Sequence, residues 1–107
     1  MVRPSPVLSD DTVEMIAAML RVIGDATRIR LMEALNEQGS ATGSGLADRL
    51  GLTQQAVSKQ LAVLHQSGIL RRRREGAWVH YELVDWTGWW LVEQIGAALA
   101  ASEPSRR

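Results

Sequence analysis

The 107 residues contain no cysteine. Disulfides, thiolate metal ligands and thiol redox switches are excluded outright. Long apolar runs are missing too. None approaches the roughly 20 residues that span a bilayer, and the opening "MVRPSPVLSDD" lacks the apolar core of a secretion signal. A cytoplasmic protein is the expectation, with no membrane partner. The catalytic inventory is equally thin, with no cysteine nucleophile, no phosphate-cradling glycine loop and no Ser/His/Asp arrangement. "TGSGLAD" carries two glycines but is read as lacking a strand before it. No enzymatic reading survives, and no cofactor is implied.

Net charge is absent as well, because 12 basic and 12 acidic residues cancel. The cancellation hides a pattern. Residues 1–48 sum to −3, residues 49–80 to +5 and residues 81–107 to −2. An anionic partner would meet the basic middle, not the average. With 46% hydrophobic and 22% charged residues, the chain has an ordinary globular balance and a length suited to one domain.

The punctuation along the chain predicts mostly helices. Residues 1–8, with Pro4 and Pro6, read as a flexible arm, residues 9–101 as the folded domain and residues 102–107 as a polar tail. Ser9 caps a first helix from Asp10 to Ile23, and Asp10 and Asp11 suit its positive end. Gly24 breaks it, Asp25 caps a second helix, and Gly39 ends that one. "SATGSG" reads as a flexible connection, with Thr42 or Ser44 capping the short helix "GLADRL". Gly51, Leu52 and Thr53 then form a turn into "QQAVSKQLAVLHQSG". Two helices joined by a short Gly-containing turn have helix-turn-helix spacing.

Past Gly68 the period changes. "ILRRRR" and "WVHYEL" flank Glu75-Gly76-Ala77 as a two-stranded hairpin, a wing, with β-favouring Trp78, Val79 and Tyr81 in its second strand. Asp85 caps a last helix, "WTGWWLVEQIGAALAAS". The first and last helices are apolar almost all round, which implies burial on two sides. A domain this small supplies one side, so a second copy of the chain is the expected other. The expected fold is therefore mainly α with a small β-hairpin: a winged helix-turn-helix of about five helices, dimeric through its first and last helices.

"MLRVIGDATRIRLMEAL", "LADRLGLTQQAVSKQLAVLHQSGIL" and "RRRREGAWVHYEL" resemble the ArsR/SmtB family of bacterial winged helix-turn-helix repressors, over roughly residues 16–84. The resemblance implies a homodimer, binding to an imperfect palindromic DNA operator, and release by an effector. Two departures stand out. Thr42 and Ser44 occupy the positions of the family's Cys-x-Cys metal motif, and neither suits a soft metal. The last helix offers Asp85 and Glu93 but none of the histidines that another group of members uses. His65 and His80 are too few and too far apart for a site of about three or four ligands. No metal is expected.

The helix after the turn bears Gln54, Gln55, Ser58 and Lys59 opposite its apolar stripe Val57, Leu61 and Leu64, with no carboxylate. Gln pairs with adenine, Lys donates to guanine and Ser does either, whereas a carboxylate would repel phosphate. These four are assigned to base edges, with Gln60 and Ala62 bordering them and Thr53 on a phosphate. Strand alternation prevents all four wing arginines from acting alike. Arg73 and Arg74 are expected to approach DNA beside Gly76, and Arg71 and Arg72 to supply general field or intramolecular pairs. Trp78 is expected in packing. Trp86, Trp89 and Trp90 have two readings, as dimer core or as the walls of a pocket for a small organic effector. Two other roles remain open, a winged-helix protein-interaction module with an acidic partner and a DNA-binding repressor without any ligand.

Overall fold

The computed structural model describes residues 7–102. The arm expected over 1–8 and the tail over 102–107 lie outside that range, except for three residues. Val7 and Leu8 have no regular structure, and Ser102 is still helical. The order is α1 (Asp10–Ile23), α2 (Ala26–Gln38), β1 (Ala41–Thr42), α3 (Gly43–Leu50), α4 (Gln54–Gln66), β2 (Leu70–Glu75), β3 (Trp78–Leu83) and α5 (Thr87–Ser102).

Each of the first four helices begins where a capping side chain permits it. The Ser9 hydroxyl accepts from the Thr12 amide at 3.1 Å, and the Asp25 carboxylate accepts from the Arg28 amide at 3.0 Å. Thr42 and Thr53 do the same for Gly45 and Ala56. Such a bond satisfies a donor that the helix itself cannot, and is worth about 1 kcal/mol. The turn between α3 and α4 closes on Gly51, whose φ of 68° suits glycine. The Leu52 amide there reaches back to the Ala47 carbonyl at 2.9 Å.

The core is assembled largely from α2, α3 and α4. Leu31, Met32 and Leu35 of α2 meet Leu46 of α3 and Val57, Leu61 and Leu64 of α4, all fully buried. Ile69, Leu70 and Leu83 extend this cluster to the base of the hairpin. The predicted stripe on α4 is thus the face that fixes that helix.

Several expectations change. "SATGSG" is not simply a flexible connection, because Ala41 and Thr42 pair with Tyr81 and His80 as an edge strand. The sheet is three-stranded and antiparallel, in the order β1-β3-β2. A two-residue strand therefore does precede Gly43-Ser44-Gly45, which form the first turn of α3. The hairpin loop is Gly76-Ala77 alone, since Glu75 already pairs with Trp78. The last helix starts after Trp86, whose carbonyl accepts from Trp90 at 2.9 Å, while Asp85 accepts from the Thr87 amide at 3.1 Å.

The outer helices contrast with the core. Ile23 is the one buried residue of α1, and Gly88 the one of α5, among those described. Met15 is 71% exposed and Leu99 60%, with Val13, Ile16, Leu20 and Ile95 close to half. An apolar cleft of about 340 Å³ runs between these helices, lined by Leu20, Ile23, Ile29, Val92, Ile95 and Leu99 among others.

Candidate nucleic-acid interface

Helix α4 presents its polar residues in two directions. Gln55 and Lys59 occupy the side away from Val57, Leu61 and Leu64, along an open concavity that also includes Thr53, Ser58 and Gln60. Gln54 lies on the flank toward the hairpin. It and Ser58 line a cleft of about 370 Å³ with Thr42, Ser44, Trp78 and Tyr81. Ser58 borders both. The Thr53 hydroxyl accepts from the Ala56 amide at 3.0 Å and keeps its own proton for an outside acceptor. None of these groups is acidic; Thr53, Gln54, Gln55, Ser58 and Lys59 are exposed, and Gln60 is half-buried.

The arginine run divides by strand alternation. Register pairs Arg71 with Glu82, and Arg73 with His80, on one face of the hairpin. There, Arg71 Nη2 lies 2.8 Å from Glu82 Oε2, and Arg73 Nη1 lies 2.9 Å from Glu82 Oε1. Arg73 also reaches Glu75 at 3.4 Å, as does His80. The hydrogen bond from Arg71, reinforced by the positive charge of both arginines, holds the Glu82 carboxyl below the ordinary carboxylate range. Arg72 and Arg74 pair in register with Tyr81 and Val79, on the face that Leu70 and Leu83 continue into the core. Neither makes an ion pair among the described residues.

The ion pairs divide the run by strand face and not by distance from the tip. Arg73, expected beside DNA with Arg74, is tied to two carboxylates, while Arg72, expected in general field or intramolecular pairs, joins Arg74 without an acid partner among the described residues. Gly76, at the loop with φ of 61°, supplies backbone that only glycine adopts readily. Trp78, expected in packing, is 60% exposed beside the cleft. The sequence alone did not separate Arg72 from Arg73, because the acid that divides the run, Glu82, lies across the hairpin.

The three tryptophans at and just before the start of the last helix differ in burial. Trp86 and Trp90 are about half exposed, and Trp89 packs against the core. The Trp89 indole nitrogen is buried without a hydrogen-bond partner. The hydroxyls of Thr42 and Ser44 lie 3.3 Å apart, and Thr42 is occupied as the cap of α3. His65 and His80 sit on different elements, one at the end of α4 and one in β3.

A short helix, a three-residue turn, a second helix with a carboxylate-free outer face and a hairpin bearing arginines beside it define a winged helix-turn-helix DNA-binding module. Comparison with known proteins makes this specific. Residues 25–72 match the bacterial regulatory protein, arsR family. The arsenical resistance operon repressor of Escherichia coli (strain K12) is 32% identical over 80 residues, covering 75% of this chain and 68% of that protein. An uncharacterised HTH-type transcriptional regulator of Methanocaldococcus jannaschii is 35% identical over 72 residues, covering 67% and 81%. The crystal structure of the AntR antimony-specific transcriptional repressor superposes with a TM-score of 0.83 at 30% identity, over 94% of this chain and 89% of that one. This chain belongs to the arsR family and is a DNA-binding transcription regulator.

Proposed function

We propose that the protein is a homodimeric repressor that reads an imperfect palindrome and is released by a small organic effector, not a metal. The observation that carries DNA reading is the outer face of α4, where Gln54, Gln55, Ser58 and Lys59 offer donors and acceptors with no carboxylate among them. Gln55 and Lys59 meet base edges, Gln54 and Ser58 enter from the wing side, and Thr53 holds a phosphate. Arg74 and Arg72 neutralise phosphates, with Gly76 letting backbone approach closely, and Arg73 contributes through its neighbours. Exposed apolar residues on α1 and α5 support the dimer. Pairing them would set two recognition helices about one DNA turn, ~34–36 Å, apart.

The effector follows from chemistry. Two of the relatives named above take their names from arsenic and antimony, which favour thiolates, and these 107 residues contain none. Trp89 supports an organic ligand beside α5, since its buried indole N–H lacks an acceptor while Trp86 and Trp90 are exposed nearby in the chain. No helix of the described residues is long and apolar enough to cross a membrane, consistent with action in the cytoplasm.

The test is fluorescence anisotropy on labelled DNA from the gene's own upstream region, against a shuffled duplex, with chelator present. Tight, sequence-preferring binding in chelator is the expected result. Binding that appears only after Zn²⁺ is restored refutes the metal-free reading, and absence of a footprint refutes DNA reading in favour of a protein partner. An inducing compound should both quench tryptophan fluorescence and weaken operator binding. If no compound does both, the repressor works without a ligand.

A further inference from the structure

Arg28 stands at the start of α2 and touches three other parts of the chain. Its Nε donates to the Val22 carbonyl at 2.6 Å, and its Nη2 to the Arg21 carbonyl at 3.2 Å. These are last-turn carbonyls of α1, which the helix itself cannot satisfy. Its Nη1 donates to Gln60 Oε1, 32 residues away on α4, at 2.7 Å. The side chain is 16% exposed, and Asp25 Oδ2, at 3.9 Å, is the acid beside it. One guanidinium thus joins the end of α1, the cap of α2 and the recognition helix.

The chemistry of that contact has a direction. Guanidinium can only donate, so the end of the Gln60 amide facing it must be oxygen. The nitrogen is then the end left for another partner, and Gln60 lines the same concavity as Gln55 and Lys59. A glutamine free to rotate could offer either end to DNA. Here one end is taken. We propose that Arg28 is a positioning residue for DNA recognition: by occupying the Gln60 oxygen, it makes Gln60 a pure donor at the DNA surface and locks the recognition helix to the end of α1. Gln60 then selects an acceptor, a phosphate oxygen or a base oxygen or N7, and rejects an amino group. This rests on the DNA-binding reading above.

Two readouts test it. In ¹⁵N spectra of the free protein, Arg28→Lys keeps the charge but loses the planar fork. It should move the Gln60 side-chain amide signals to the positions of a solvent-exposed glutamine, and unmoved signals overturn the proposal without any DNA. On DNA, Arg28→Lys and Gln60→Met should each reduce the preference for operator over shuffled duplex about tenfold. The double variant should lose no more than the worse single one. Losses that multiply, or a preference that survives Gln60→Met, also overturn it. Gln60→Met leaves the α1 carbonyls capped, so it reports even if Arg28 variants fold poorly. A wild type with no operator preference refutes DNA reading itself, and the positioning role falls with it.

Discussion

Arg73 and Arg74 are adjacent and chemically identical, yet removing them should have different consequences for DNA binding. Arg73 is committed to Glu82 and Glu75, whereas Arg74 has no acid partner among the described residues. On each subunit, Lys59, Arg72 and Arg74 are cations near the proposed surface without an ion pair among the described residues, making six in a dimer. Each phosphate neutralised contributes about −0.9 to the slope of log affinity against log salt, so six predict about −5. Arg74→Ala removes two and should bring the slope to about −4, with affinity at 0.15 M salt lower by up to about 30-fold. Arg73→Ala should leave the slope near its original value. The assay is anisotropy titration on one duplex over about 50–300 mM KCl. Equal flattening by the two substitutions would show that the Glu82 pairs do not decide which arginines meet phosphate, and the division of the run would be refuted.

The pairing of Glu82 should also be visible directly. Its carboxyl titrates below the usual carboxylate range when folded, so the pairing stabilises the protein above the unfolded-state pKa. That contribution disappears as pH falls through the depressed folded value. A ¹³C carboxyl titration should place the Glu82 midpoint below that of exposed glutamates, and Arg71→Ala should raise it. Leu61 is 1% exposed at the junction of α2, α3 and α4, so Leu61→Ala should lower unfolding stability by about 2–5 kcal/mol in urea. Ile95→Asp, on the half-exposed apolar side of α5, should leave helicity intact while sedimentation shows monomers and operator affinity falls sharply.

Most of the fold was legible because its punctuation is local. Ser9, Asp25, Thr42 and Thr53 cap helices within three residues of themselves, and that relation can be read directly from the chain. The face of α4 was legible for a similar reason, since helical period alone separates Gln55 and Lys59 from Val57, Leu61 and Leu64. What escaped depends on partners distant in sequence. β1 has two residues and no period, and exists because β3 offers it an open edge. Whether Arg72 or Arg73 is tied down depends on hairpin register, which places Glu82 opposite Arg71. Gln60 looked peripheral because the guanidinium that orients it lies on another helix.

The edge pairing of Ala41 and Thr42 with β3 has a mechanical consequence. The same short stretch opens α3, so the first helix of the helix-turn-helix and the wing are riveted to one another through the ladder. Bending the hairpin back would break that ladder or pull on the start of α3, so the two parts are coupled as one blade. If the dimer forms through the exposed apolar sides of α1 and α5 as proposed, an inducing signal would have to swing the whole blade relative to its twin, and the place to push would be the hub those helices form.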